Sequence, residues 1–456
     1  MQIRQLITVL CISTILFSCN NGGTTTTSEA NDNLKIDGHP AWILQGNIYE
    51  VNVRQYTPEG TFKAFEKHLD RLKEMGVQTL WFMPITPIGV KDRKGHLGSY
   101  YAVKDYTAVN PEFGTLEDWK HLVNKCHEMG FKVITDWVAN HTSADHAWLE
   151  KFPDFYVRDS ATGVALSPFD WTDARKLNYK NAALQDSMIK SLQFWIRETN
   201  IDGYRCDVAE EVPAEFWKRA IDTLRGMKNV FMLAEGNKGW LHTAGFDATY
   251  TWDAFGLFNK IVKGERTNAS IDSVLAKVDS TFPSNALRMY FTSNHDENSW
   301  NKADYGTTPG ASHAPFAVLT QTLKASVPLI YSGQEEPFLD SLSFFYKDTI
   351  LFGKFERSNL YKKLLDLRKN NAALAANAAF IKINTGADDK IFAFTRENEG
   401  KKILVLLNLS AGAQKATIDA AALAGEPTEL FSGQKQKIAD KTVIDLQAWD
   451  YKVYVY

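Results

Sequence analysis

The sequence predicts an α/β fold: a parallel (β/α)8 (TIM) barrel with a short insertion after its third strand, followed by a C-terminal antiparallel β domain. Three observations carry this. From about Pro40 to Asn371, short apolar β-rich runs alternate with amphipathic stretches, and eight such runs over about 330 residues make a barrel pattern. After Ala376 the pattern changes to short alternating strands with no helices between them. A chain of 456 residues is too long for one average domain and suits one large barrel plus an accessory module. A doubly wound open sheet is the competing architecture, but no Gly-rich phosphate loop follows the first strand.

The elements follow in chain order. Met1 to Gln5 carries one positive charge, Arg4, and Leu6 to Ser18 is uncharged and mostly apolar. That run is short for a bilayer span and suits a secretory signal, assigned to residues 1–18. It ends in Leu16-Phe17-Ser18-Cys19, which resembles a bacterial lipoprotein signal in which the Cys is lipidated after cleavage. A plain secretory signal is the alternative. Residues 19–38 include NNGGTTTTSEANDN, which has almost nothing apolar to bury and reads as a flexible tether. The barrel is assigned to residues 39–375. Its strands are expected at Asn47–Val53, Thr79–Met83, Lys132–Asp136, Gly203–Asp207, Val230–Ala234, Phe246–Thr249, Leu287–Phe291 and Leu329–Tyr331. Helical periodicity marks Thr61–Met75, Leu116–Met129, Leu184–Thr199 and Pro213–Leu224, with Gly76 and Gly130 where C-terminal caps belong. Residues 142–179, rich in aromatics and turn formers, form the insertion over the barrel mouth. Residues 376–456 are expected to form a β-sandwich from Ile391–Arg396, Lys402–Asn408, Lys415–Ile418 and Tyr451–Tyr456.

Composition narrows the function. Lys and Arg number 51 against 54 Asp and Glu, a net charge of -3, so nucleic acid has no electrostatic case as a partner. Aromatics make up 12%, with 12 Trp; flat apolar faces suit sugar rings, though large cores use them as readily. Of the 4 Cys, Cys11 and Cys19 belong to the signal. Cys126 and Cys206 are then too few for a disulfide framework or a zinc site, and each reads as a small buried hydrophobe.

Chemistry concentrates on acidic residues at strand ends, where barrel enzymes build their sites. Asp136, Asp207, Glu235 and Asp296 all fall there. Any one of them could simply cap the next helix. Four in succession, each with polar companions, point to a site. Arg205 precedes Asp207 by two positions, so both side chains point into the barrel, and the cation is expected to keep the carboxylate ionised. Asn140-His141 and Asn294-His295 supply neutral donors suited to sugar hydroxyls. Glu235 closes the apolar run VFMLA, where desolvation can raise its pKa and make it a general acid. Two carboxylates with separate roles are what glycoside hydrolysis needs.

These segments resemble the ordered motifs of the alpha-amylase superfamily, glycoside hydrolase family thirteen. The matches are Asp136-Trp137-Val138-Ala139-Asn140-His141, Gly203-Tyr204-Arg205-Cys206-Asp207, Glu235 and Asn294-His295-Asp296. GSYYAVKDYTAVNPEFGT with Tyr101, and VPLIYSGQEEP with Gly333, Gln334 and Glu335, support them. The resemblance implies Asp207 as nucleophile, Glu235 as acid/base and Asp296 as the carboxylate that grips hydroxyls in the transition state. It also implies that Arg205 orients Asp207, that His141 and His295 bond the sugar, that Tyr101 stacks beneath it, and that Asp136 holds Arg205.

Two departures stand out. Glu210-Glu211 replaces the Lys-His pair common after the nucleophile, and Arg175-Lys176-Leu177-Asn178 stands where Pro-Asp-Leu-Asn is often found. Lys176 in place of an acidic ligand argues against the family's usual calcium site, although Asn140 is retained. No cofactor is required on this reading, and no metal ligands are assigned.

The expected activity is therefore hydrolysis of α-1,4-glucosidic bonds in starch, glycogen or maltooligosaccharides, with the α-glucan as substrate partner. The alternatives are an α-glucan transglycosidase or a cyclomaltodextrinase- or neopullulanase-like enzyme. A catalytically dead glycan-binding protein is the remote one, since all three carboxylates are present. The expected location is outside the cytoplasm, on a lipid anchor facing the periplasm or the cell surface. Cys19→Ala is expected to move the protein from the membrane fraction to the soluble one, because acyl chains supply most of the membrane affinity. Unchanged partition would exclude the anchor.

Overall fold

The computed structural model describes residues 33–302, 310–337, 340–419 and 421–456. The residues read as a signal, Cys19 and most of the residues read as tether lie outside the described residues. The last residues of that stretch are structured: Lys35–Ile36 pairs antiparallel with His39–Pro40, and His39 Nδ1 lies 2.8 Å from Asp247 at the base of the barrel. No helix among the described residues is long and apolar enough to cross a membrane.

Eight parallel strands form the barrel: β1 (Ile48–Val51), β2 (Thr79–Phe82), β3 (Lys132–Val138), β4 (Gly203–Asp207), β5 (Phe231–Ala234), β6 (Ala248–Tyr250), β7 (Leu287–Met289) and β8 (Leu329–Tyr331). Neighbours in sequence pair in order, and β8 returns to β1 with Ile330 opposite Tyr49. Between β7 and β8 the closure is thin. Val327 donates its N–H to Arg288 O at 2.9 Å and Leu329 to Tyr290 O at 2.9 Å. The strands are buried on both faces, which is why they read as continuous apolar runs rather than as alternation.

The helical patterns are close to their expected limits, and local chemistry explains the ends. Leu116–Glu128 starts at a reciprocal capping box between Thr115 and Asp118. Ala182–Thr199 is capped by the Asn181 side chain, and Ala214–Arg225 follows Pro213. Gly76 takes a left-handed φ of 96° and closes its helix. One expectation needs correcting. Thr61–Met75 is two helices, Phe62–Glu66 and Leu69–Met75, because His68 bonds three residues back to Phe65 O and turns its ring against Tyr56 and Phe352. The first strand is also shorter than expected: beyond Val51 the chain turns into a helical segment, Val53–Tyr56.

In the insertion, His141–Ser143 pairs with Ala174–Lys176, and this ribbon carries Asp170, Trp171 and Asp173 to the mouth of the barrel. Beyond the helix Ser358–Asn370 comes the antiparallel sheet, with β9 (Ala379–Lys382), β10 (Ile391–Asn398), β11 (Lys401–Asn408), β12 (Gln414–Ile418), β13 (Thr428–Glu429), β14 (Thr442–Leu446) and β15 (Tyr451–Val455). The sheet order is β9-β10-β11-β15-β13, and β12 pairs with β14 as a separate ribbon over one face. Ile391, Leu404 and Leu406 meet Ile418, Ile444 and Leu446 there. Phe392, Val405 and Val453 on the other face pack on Phe316 and Leu319 of the barrel helix His313–Thr322.

Cys126 and Cys206 are buried free thiols.

Candidate active site

The C-terminal strand ends open into a cleft of about 410 Å³ lined by Tyr101, His141, Asp207, Glu235, His295 and Asp296. Its floor is organised by Arg205. Parallel pairing sets Arg205 opposite Asp136 and Asp207 opposite Val138, so the guanidinium lies between the carboxylates of β3 and β4. Arg205 is fully buried. Its Nη1 donates to Asp136 Oδ1 at 3.0 Å and Asp207 Oδ1 at 2.9 Å, and its Nη2 lies 3.0 Å from Glu235 Oε2. Its Nε donates to Tyr250 Oη at 3.1 Å.

One cation thus serves three carboxylates. Burial pushes Asp207 up to about 6 and Glu235 up to about 7, and in both cases the guanidinium opposes the rise without cancelling it. Burial therefore weighs more at Asp207 than the sequence suggested. The order of the pair still leaves Asp207 the more readily ionised. Asp136 is likewise raised to about 6 by burial and lowered by Arg205. Glu235 Oε2 also accepts the Val208 N–H at 2.7 Å. Val208 makes that bond from a left-handed φ of 35°, a strained backbone for a β-branched residue, directly after Asp207.

A second network surrounds His295. Its Nδ1 lies 2.6 Å from Glu50 Oε1, and its Nε2 lies 2.7 Å from Tyr101 Oη and 3.3 Å from Asp296 Oδ2. Tyr101 Oη donates a hydrogen bond to Asp136 Oδ2 at 3.2 Å, which joins the two networks. Burial opposes the imidazolium, but Asp296 and Glu50 outweigh it and push His295 up to about 9, so it is charged at neutral pH. His141 has no such partners; burial pushes it down to about 4, and its neutral ring meets Trp171 edge-on at 5.3 Å. The Tyr101 ring stacks on His295 at 5.4 Å and faces Phe344 at 6.1 Å.

Asn140 and Asn294, read as sugar donors, are buried and do not line the cleft. Asn294 caps the helix His295–Asn301, accepting from Glu297 N at 2.9 Å. Asn140 is buried, with its side-chain amide nitrogen 3.4 Å from His141 Nδ1 and its backbone carbonyl accepting from Leu177 N at 3.0 Å. Sequence reasoning missed Glu50, Tyr250 and Trp81, whose Nε1 donates to Asp136 at 3.3 Å. Glu50 had a usable signal, since a carboxylate within the apolar strand IYEV demands a buried partner. The two aromatics carried none, because they read as core.

Lys176 Nζ lies 3.4 Å from Glu211 Oε2, so both departures from the usual motifs meet in one ion pair. Among the described residues no group of three His, Cys, Asp or Glu side chains is arranged to hold a metal.

A barrel whose strand ends bring carboxylates together over one cleft is an arrangement that glycoside hydrolases use. The alpha-amylase catalytic domain matches residues 24–174 and 166–350, and the chain belongs to the alpha-amylase family. The maltogenic amylase C-terminal domain matches residues 383–453. Alpha-amylase MalA of Haloarcula japonica is 26% identical over 87% of this chain, which spans 59% of that protein's length. The maltogenic alpha-amylase of Bacillus acidopullulyticus is 25% identical over 86% of this chain and 70% of its own. Among solved structures, the noncanonic maltogenic alpha-amylase AmyB of Thermotoga neapolitana superposes with a TM-score of 0.83 at 28% identity, covering 91% of this chain and 99% of its own. An alpha-amylase from Lactobacillus plantarum gives 0.82 at 30% identity, over 91% of this chain and all of its own.

With Lys176 paired to Glu211, chelator is expected to leave both the thermal midpoint and activity nearly unchanged. Any ion bound by the native state alone must raise stability by mass action. A midpoint that climbs with added calcium, followed by scanning calorimetry, would show that the pair yields to a metal.

Proposed function

We propose that this chain is a retaining glycoside hydrolase that cleaves α-1,4-glucosidic bonds in starch, glycogen or maltooligosaccharides through a covalent glycosyl-enzyme. The observation that carries it is the pair Asp207 and Glu235, bound to adjacent nitrogens of one guanidinium with Glu235 the more readily protonated. The relatives named above support the choice of α-glucan.

The chemistry follows from the placement. Glu235 donates its proton to the glycosidic oxygen as the bond to the anomeric carbon breaks. Asp207, held by Arg205, attacks that carbon from the opposite face and forms the glycosyl ester. Glu235, now ionised, takes a proton from water, which attacks the same carbon and releases Asp207. Two inversions return the α configuration. Asp296, with its carboxylate in the cleft, grips ring hydroxyls; the charged His295 and the neutral His141 donate to others. Tyr101 offers its ring to the sugar above. We further propose that the protein is exported and held at a membrane by lipid on Cys19, on the strength of the Leu16-Phe17-Ser18-Cys19 run.

Asp207→Ala and Glu235→Gln should each lose several orders of magnitude in turnover, for different reasons. A glucosyl donor with a good leaving group needs little protonation, so it should load Glu235→Gln with a covalent sugar and never load Asp207→Ala. Mass spectrometry of the quenched enzyme reads this; a label on another residue, or β-configured first products by NMR, overturns the assignment.

The pH dependence has a definite sign. Activity needs Asp207 ionised and Glu235 protonated, so kcat/KM should fall below about 6 and again above about 7. Glu235→Gln should abolish the alkaline limb while keeping the acid one. An alkaline limb that survives in that variant would assign it to another group.

A further inference from the structure

The loop between β2 and Tyr101 is wedged between two neighbours. On one side it meets the insertion: Gly89 is so close that a Cβ there would lie 2.3 Å from Ser143 Cβ. Val90 N donates to Asp145 Oδ2 at 2.9 Å, Arg175 donates to Asp92 Oδ2 at 2.7 Å, and Lys94 Nζ lies 3.7 Å from Asp173 Oδ1. On the other side it meets the loop after β8. A Cβ on Gly95 would lie 2.5 Å from Phe345 Cβ, and Leu97 N donates to Phe345 O at 3.0 Å. Buried Arg54 staples this junction, with Nη1 donating to Gly98 O at 3.1 Å and Phe344 O at 3.4 Å and Nη2 to Leu97 O at 3.3 Å. Insertion, β2 loop and β8 loop therefore form one continuous wall, and Lys94, Asp173, Phe344 and Phe345 present it to the cleft.

The position of the wall gives it meaning. The loops after β8 and β2 flank β1, and β1 lies across the eight-stranded barrel from β5, whose end carries Glu235. Glu235 faces the leaving group. The sugar bearing the attacked carbon, and whatever chain continues beyond it, therefore points toward the wall. That chain runs to the non-reducing end.

We infer that the cleft is blind on this side, so that α-glucans are cut at a fixed short distance from their non-reducing ends. Lys94 and Asp173 are the groups that meet the terminal hydroxyls. An ammonium donates and a carboxylate accepts, and the 3.7 Å gap between them leaves both free to bond a sugar hydroxyl. Lys94 is half-buried and Asp173 is buried, so a terminal sugar would complete a partly desolvated pair rather than compete with open solvent. This inference rests on the glucan-hydrolase reading and adds the end of the chain at which it acts.

The test compares p-nitrophenyl maltoheptaoside with the same chain capped at its non-reducing end as the 4,6-ethylidene acetal. The free chain is expected to release one short product length from the earliest times. The capped chain is expected to react at least about 100-fold more slowly, because its end cannot be seated. Lys94→Ala is expected to raise KM for the free chain about tenfold with kcat held within about threefold, since it meets the terminal sugar and not the reacting carbon. Equal rates on the two chains, a ladder of product lengths from the start, or a fall in kcat at unchanged KM would each overturn the blind cleft. Failure to hydrolyse either chain would overturn the glucan-hydrolase reading and this inference with it.

Discussion

A guanidinium with no access to water, facing three carboxylates, is the constraint on which the site depends. An isolated buried charge is costly, so Arg205 requires anionic partners at hydrogen-bond distance, and Asp136, Asp207 and Glu235 supply them. Three carboxylates on one cation leave an excess of negative charge that the interior cannot hold cheaply. Burial raises all three, and Glu235, pushed up to about 7, is the one that holds its proton nearest to neutral pH. The acid near neutral pH thus comes first from the burial of Glu235, with Asp207 and Asp296 adding to the rise and Arg205 opposing it. The strand register follows from the same demand, since only Asp136 opposite Arg205 lets one nitrogen reach both β3 and β4 carboxylates.

The His295 network applies the same logic with the opposite sign. Glu50 is buried in β1 and needs a cation, and His295 provides it by staying protonated. Tyr101 bridges the two systems through Oη, so a change in either charge cluster reaches the ring proposed to lie beneath the sugar. The strained Val208 belongs to this economy of fixed donors. Its left-handed backbone aims one N–H at Glu235, whose other oxygen is thereby left to the substrate.

How much of this was legible in sequence differs by layer. The strand runs, the helix caps at Thr115 and Gly76, and the acids at strand ends were readable because each is a local signal: apolar periodicity, a capping pair, a charge after an apolar run. Asp136, Asp207 and Glu235 lie at or near the C-terminal ends of β3, β4 and β5, and His295 opens the helix after β7. What could not be read depends on contacts across the barrel. Asn294 looks like a ligand in sequence and turns out to be a helix cap, since the same amide serves either end. Tyr250 and Arg54 resemble ordinary core or surface residues until the fold sets one against Arg205 and the other beneath two loops. The strands β9, β13 and β14 were missed: β13 is two residues long, and β9 has no fully buried position to mark it.

The C-terminal sheet is better understood as part of the barrel's closure than as an appendage. The β7–β8 seam is the thinnest part of the wall, and the helix that carries His295 and Asp296 leaves from the end of β7. Two fully buried arginines without carboxylate partners brace that region through carbonyls. Arg368 donates to Gly46 O at 2.7 Å and Gln321 O at 3.2 Å, and also to Ser326 O, which ties β1 to the approach to β8. Arg396, on β10, donates to Leu323 O at 2.6 Å and Ala375 O at 2.7 Å, binding the sheet to the end of the helix behind that seam. Such cages work only if the sheet is present to exclude water, because exposed carbonyls would exchange these bonds for solvent. The apolar face of β10, β11 and β15 against Phe316 and Leu319 provides that exclusion. Positioning of His295 and Asp296 therefore extends, through a seam of few backbone bonds, to a sheet that contributes no residue to the cleft.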